Sequence, residues 1–361
     1  MGSTGGRTRG APEPGPRAAA DAPYAATDDP GATEAAARAR NGLVRRLTED
    51  GALTDPRWWA AFEAVPRHLF VPYYYEAGEG RVGSYAAQGS GSAGYARLCR
   101  DDPDPSRRAR WLAGAYADAP LATRMRGGEL ISSSSQPSLM ARMLEALEVA
   151  DGNSVLEIGA GTGYNAALLA HRVGDERVTT LDLDAEITDA ARAQLAAAGF
   201  RPAVVTGDGA RGWPDRAPYD RIIATCAVPS VPGAWPGQCR PGGLILTPLA
   251  TGLIALRVPD AGHAEGRFLA TPAYFVPLRG TAPPPSVSTH GIPPRPLMDD
   301  SFRFLLNLVA GRMEPVEALA LWEHEDRPGR ERYGVTVRGD RQWAWLDDPE
   351  GPYGWPLGPG R

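Results

Sequence analysis

The chain has 361 residues, enough for one large or two ordinary domains with a sizeable core. All 38 basic residues are arginine and the net charge is −5, so the balance offers no general attraction to nucleic acid or an anionic membrane. Cys99, Cys226 and Cys239 lack C-x-x-C spacing, the histidines are isolated, and no apolar run approaches ~18 residues; a disulfide framework, an obvious zinc site and a membrane-spanning helix are not expected.

Residues 1–32 are rich in Gly, Pro, Ala and Arg, have almost no large apolar side chain, and read as a disordered tail. The same stretch has no signal-peptide core, so a soluble, cytoplasmic protein is expected. The composition changes at Thr33. A helix is predicted from Ala35 to Asp50, with Leu43, Val44 and Leu47 on one face and Gly51 as its stop. A second helix starts at Asp55-Pro56, a capping residue followed by proline at the first helical position. Its apolar face is read as Trp58, Trp59, Phe62 and Val65, with both tryptophans in the core.

Val155-Leu156-Glu157-Ile158 is a β-favouring run that ends in glycines and opens into the helix-forming stretch Asn165 to Ala170. The spacing is G-x-G-x-G, over Gly159, Gly161 and Gly163. A dinucleotide fingerprint would need a third glycine at position 164, where Tyr164 stands. Such a turn lets backbone approach a ligand closely without a full pyrophosphate cradle. Val178 to Leu181 is the next predicted strand, and Asp182 at its end is placed to take both ribose hydroxyls of an adenosine. A helix follows from Ala185 to Ala198, with Asp184 as cap and Gly199 as stop, and a further strand runs from Asp220 to Ala224. Beyond a proline-rich linker, Thr281 to Pro296, a helix is predicted from Asp300 to Ala310 on the spacing of Phe302, Leu305, Leu306 and Val309. Tyr333–Val337 and Gln342–Leu346 flank Gly339-Asp340 as a hairpin. The tryptophans Trp343, Trp345 and Trp355 fit either a core or a peptide anchor.

Several phrases in one order resemble the protein-L-isoaspartate O-methyltransferase family. They are Val65-Pro66-Arg67-His68-Leu69-Phe70-Val71-Pro72, Ala115-Tyr116-Ala117-Asp118-Ala119-Pro120-Leu121 and Ser135-Gln136-Pro137-Ser138-Leu139-Met140-Ala141. The glycine turn, Gly207-Asp208-Gly209, Ala217-Pro218-Tyr219-Asp220 and Pro241-Gly242-Gly243 follow, and the likeness covers roughly residues 50–280. It implies a doubly wound, Rossmann-like α/β domain of the class I methyltransferase type, using S-adenosylmethionine. Cofactor contacts are then expected from Glu157, Gly159, Ala160, Gly161, Thr162, Asp182, Leu183, Gly207, Asp208, Gly209 and Thr225, with Asp208 beside the adenine. Thr225 stands where the family has glycine. Ser135 matches the serine that faces the substrate carboxyl, with Ser134 beside it; the bland reading of Ser132–Ser135 is a loop or a helix cap. Cys226 is read as a small buried filler.

These features divide the chain into a tail (1–32), a helical segment with an insertion (33–129), a cofactor-binding domain (130–280), and a linker with a C-terminal α+β extension (281–361). The insertion, the four serines and the extension depart from the family, and the four serines with the extension look most like the branch acting on ribosomally made, modified peptides, such as graspetides and lanthipeptides. The leading expectation is therefore methylation of an aspartyl or isoaspartyl carboxylate in a cyclised ribosomal peptide, leading to aspartimide. General repair of isoaspartyl residues is the first alternative, and a cofactor- and peptide-binding protein without turnover is the second. The expected partner is a peptide, with no nucleic acid and no membrane, and the protein is expected to act as a monomer. No metal is expected.

Overall fold

The computed structural model describes residues 30–77, 95–281 and 285–358. The segment read as a tail lies outside them for residues 1–29. The first helix, α1 (Pro30–Glu49), starts within the stretch read as tail. Leu43, Val44 and Leu47 are buried on it. In α2 (Pro56–Ala64) the Asp55 side chain accepts from the Arg57 N–H, as its sequence signature requires. Trp58, Phe62 and Val65 are buried, but Trp59 is 46% exposed. Neighbouring residues on a helix point about 100° apart, so the stripe through Trp58 and Phe62 carries Trp59 away from the core.

A small antiparallel sheet not anticipated from the sequence follows the short helix α3 (Arg67–Phe70). It comprises β1 (Tyr73–Ala77) and β2 (Tyr95–Cys99), then, after α4 (Pro105–Ala115), β3 (Leu121–Arg126) and β4 (Glu129–Ser134), in the order β2-β1-β3-β4. The insertion therefore contributes a strand and a helix, with residues 78–94 outside the described ones. Ser132, Ser133 and Ser134 belong to β4, with Leu121 opposite Ser134 and Ala122 opposite Ser133. Strand pairing has won over the loop-forming tendency of a serine run. The helix α5 (Pro137–Ala146) begins two residues beyond β4 with proline at its first position.

Among the described residues the main sheet has ten strands. Its parallel part is β5 (Val155–Ile158), β6 (Val178–Asp182), β7 (Ala203–Thr206), β8 (Tyr219–Ala224) and β9 (Cys239–Leu249), with α6 (Tyr164–Val173), α7 (Ala185–Ala197) and α8 (Ala234–Gln238) between them. All four residues of β5 are buried, as a central parallel strand covered on both faces requires. The order β9-β8-β5-β6-β7 reverses direction at β5, so the crevice between β5 and β8 is the topological switch point where such sheets bind ligands. Two antiparallel strands, β10 (Gly252–Asp260) and β11 (His263–Pro272), continue from β9.

The C-terminal extension carries on the same sheet. After α9 (Asp300–Leu308) and α10 (Pro315–His324), the predicted hairpin forms β12 (Tyr333–Arg338) and β13 (Arg341–Leu346), and β14 (Gly354–Pro356) closes the edge. Strand β12 pairs with β11 from His263↔Arg338 to Arg267↔Gly334. Phe268 of β11 meets Phe304 of α9 edge-on at 4.8 Å between ring centres, and Phe304 meets Tyr333 at 5.5 Å. Trp345 and Trp355 are buried in this layer, which favours the core reading for them over a peptide anchor.

Candidate active site

At the switch point the chain leaves β5 through three glycines in left-handed backbone: Gly159 at φ +100°, Gly161 at +52° and Gly163 at +83°. The Gly159 and Ala160 N–H groups donate to Leu181 O at 2.8 and 3.0 Å, which folds the turn back over β6. A Cβ on Gly159 would lie 2.6 Å from Thr225 Oγ1. Thr225, at the end of β8, donates that hydroxyl to Gly159 O at 2.7 Å. The threonine in place of a family glycine thus braces the turn, and glycine at 159 is what leaves room for it. At Gly161 a Cβ would meet nothing nearer than Ser133 O at 3.6 Å, so the backbone angle, not lack of space, demands glycine there.

Asp182, 8% exposed, ends β6. Its Oδ2 accepts from Gly161 N–H at 3.4 Å and its Oδ1 from Asp184 N–H at 3.2 Å; Arg279 forms an ion pair with it. Arg279 also stands 3.6 Å from Asp184. Arg279 arrives because residues 276–278 fold over the end of β8, with Ala227 N–H donating to Val276 O and Leu278 N–H to Ala227 O.

The resulting cleft measures about 790 Å³ to its open mouth. Of the residues predicted to act here, Ser134, Ser135, Glu157, Gly159, Ala160, Gly161, Thr162, Asp182, Leu183, Gly209 and Thr225 all line it. Gly207 and Asp208 are not among the lining residues, and Asp208 Oδ1 instead accepts from Ala210 N–H at 2.9 Å, capping a short turn. Cys226 lines the wall as a buried thiol whose pKa burial pushes up to about 12, consistent with a filler.

Glu157 does not present a free carboxylate to the cleft. It is fully buried, and its oxygens accept from Thr180 Oγ1 at 2.6 Å and Asn165 Nδ2 at 2.7 Å, tying β5 to β6 and α6. Burial raises its pKa from 4.5 to about 7, with the two hydrogen bonds opposing and Asp182 adding to the rise. The folded state therefore holds a proton that the unfolded chain releases, and stability falls as pH rises from about 4.5 to 7, by up to about 3 kcal/mol from this group. Glu157→Gln is expected to flatten that slope. Urea midpoints should show the variant gaining on the wild type at pH 8 but not at pH 4.5; equal gains at both would contradict the assignment.

Two residues quoted from the family phrases acquire roles that sequence alone did not assign. Asp118 accepts from Ser138 N–H at 2.8 Å and from Gln136 Nε2 at 3.2 Å, so it caps α5 from outside and joins two of the phrases. Arg67 reaches Ser134 and Ser135 from behind. Their presence in the matched phrases was the available signal; the pairing partners were too distant along the chain to read.

The residues fit an adenosyl group on their own chemistry. Asp182 offers a buried carboxylate, and Leu183 and Leu278 supply apolar wall. Asn165 Oδ1, on the same wall, is buried without a hydrogen-bond partner and is a ready acceptor. Fold and cleft define a Rossmann-like class I methyltransferase. The family model described as protein-L-isoaspartate(D-aspartate) O-methyltransferase matches residues 107–279. A protein-L-isoaspartate O-methyltransferase of Hyperthermus butylicus is 34% identical over 257 residues, covering 67% of this chain and 89% of its own length. The chain belongs to the protein-L-isoaspartate O-methyltransferase family.

A namesake from Ignicoccus hospitalis is 42% identical over 209 residues, covering 57% of this chain and 80% of its own. A solved protein-L-isoaspartate O-methyltransferase superposes with a TM-score of 0.57 at 22% identity, covering 86% of this chain and all of that one. An overlap of that extent cannot fit within residues 50–280, so it takes in part of the additions read as departures. The protein is an O-methyltransferase with S-adenosylmethionine as its methyl donor. Among the described residues no helix is long and apolar enough to cross a membrane.

Proposed function

We propose that this cleft transfers a methyl group to the free α-carboxylate of an isoaspartyl residue in a linear peptide segment, as in repair of damaged proteins. The observation that carries this reading is the meeting of Asp182 and the glycine turn with Ser134 and Ser135 in one cleft. The names of the relatives support the acceptor. Bound there, S-adenosylmethionine supplies an electrophilic methyl group. Asp182, Gly159 and Gly161 would hold it, and the acceptor carboxylate, already anionic at neutral pH, needs no general base. What the chain must provide is alignment and a dry site. Ser134 and Ser135 are the hydroxyls available to orient the acceptor, and buried Tyr164, Met140 and Cys226 keep water from that wall.

The narrower reading, a cyclised ribosomal peptide as substrate, is favoured by the serine run Ser132–Ser135, three of whose members lie on β4. The extension no longer separates the two readings, given the length over which the solved relative overlaps. Rates on a linear isoaspartyl peptide and on a cyclised aspartate peptide decide between them. Faster methylation of the linear peptide is expected, and methylation of the cyclised peptide alone would overturn the repair reading. For the donor side, Asp182→Ala removes a charge-assisted acceptor, at about 1.5–3 kcal/mol, so affinity for S-adenosylmethionine should fall roughly ten- to a hundredfold. Calorimetry showing unchanged binding in a folded variant would remove Asp182 from the cofactor site.

A further inference from the structure

Arg67 is fully buried and is in no ion pair among the described residues, although the Asp118 carboxylate favours its charge from a distance. Burial draws its pKa down to about 10, so it stays charged at neutral pH. Its Nη1 donates to Ala115 O at 2.7 Å and Ala117 O at 3.3 Å, and its Nη2 to Ala119 O at 3.4 Å, Ser134 Oγ at 3.2 Å and Ser135 O at 3.0 Å. The carbonyls at the C-terminal end of α4 compensate the charge, as the negative end of a helix does. Nε has no partner. The guanidinium also stands 6.0 Å from the centre of the Tyr164 ring, at the start of α6 beyond the glycine turn. A buried cation is costly unless its donors are hydrogen-bonded. Here they fix the end of β4 on the cleft.

We propose that Arg67 is the positioning residue of the acceptor site, acting through Ser134 and Ser135. The inference rests on the reading of this cleft as the methylation site. By donating to Ser134 Oγ, Arg67 occupies an acceptor position of that hydroxyl and leaves its proton to be donated elsewhere. By donating to Ser135 O, it holds the backbone that carries the second hydroxyl. The charge itself is already compensated by carbonyls, so its part is geometric, and displacement of a positioning group by about 1 Å can cost ~10²-fold in rate.

The test uses the full chain with S-adenosylmethionine and a linear isoaspartyl peptide, comparing wild type, Arg67→Lys, Ser134→Ala and the double variant. Arg67→Lys keeps the charge but loses the fork of donors. It is expected to lower kcat ten- to a hundredfold while cofactor affinity by calorimetry stays within about twofold. Ser134→Ala should lower kcat in the same range, and the double variant should lose clearly less than the product of the two single losses, because the variants share the Ser134 hydroxyl. Multiplying losses, or equal falls in kcat and cofactor affinity for Arg67→Lys, would overturn the inference. Should Arg67→Lys fail to fold, Ser134→Ala with wild-type kcat overturns it, and a lowered kcat at unchanged cofactor affinity supports it. A wild type inactive on the peptide overturns the functional reading and this inference with it; an active wild type with unaffected variants overturns the inference alone.

Discussion

Replacing Ser135 by alanine is expected to slow methyl transfer by ~10²–10³, the usual cost of losing one positioned donor in a dry site. Cofactor affinity should stay close to that of the wild type. Ser135 lines the cleft immediately beyond β4, with its carbonyl held by Arg67 and the next residue held by Asp118. Backbone placement at this position is therefore independent of its hydroxyl, and the alanine variant should fold as the wild type does. Single-turnover rates with an isoaspartyl peptide, alongside calorimetric cofactor titration, separate the two effects. Wild-type turnover would move the acceptor-orienting hydroxyl to Ser132, Ser133 or Ser134.

A chain ending after Gly280 is expected not to reach the native fold. Five residue pairs join β11 to β12, so truncation bares the edge of the main sheet. It also removes Phe302, Phe304, Leu305 and Leu308 of α9, all at most 1% exposed, from a cluster they share with Ile254, Leu256 and Phe268. Losing one such side chain typically costs about 2–5 kcal/mol, and several together exceed the roughly 5–15 kcal/mol that holds a domain folded. Circular dichroism during thermal unfolding should show no cooperative transition. A sharp transition with intact cofactor binding would show that the extension is a separable lobe.

What the sequence disclosed was local. The glycine turn, Asp182 at the strand end, and the caps Asp55 and Asp184 each express a backbone conformation or a hydrogen bond within a few residues, and each stands where its pattern placed it. The run of β9, β10 and β11 and the β3–β4 pair are hairpins closed by tight turns, Leu249↔Gly252, Asp260↔His263 and Arg126↔Glu129, whose signal is local. The pairing of β1 with β3, Tyr75↔Ala122, joins residues far apart along the chain and is not legible there. The serine run shows another limit: its composition speaks for a loop, and pairing with β3 makes it a strand. The helix α10 carries a local signal, Glu314-Pro315 followed by Glu317, which forms a capping box. Trp59 departs from the core expected of it because adjacent residues on a helix cannot share one face.

Of the site, the donor side was the more legible. The glycines and Asp182 are close in sequence to one another, whereas the acceptor side is assembled by Arg67, Asp118 and Ser134 across wide separations. Asp208, flanked by glycines, also serves its own turn through Oδ1, a hydrogen bond within two residues that its pattern allows.

The most direct test of the central claim uses labelled S-adenosylmethionine with two linear peptides of one sequence, carrying either isoaspartate or aspartate. The expected result is a base-labile methyl ester on the isoaspartyl peptide and little label on its aspartyl counterpart. Label in a base-stable linkage, or no transfer to the isoaspartyl peptide, would contradict carboxyl methylation of isoaspartate by this cleft.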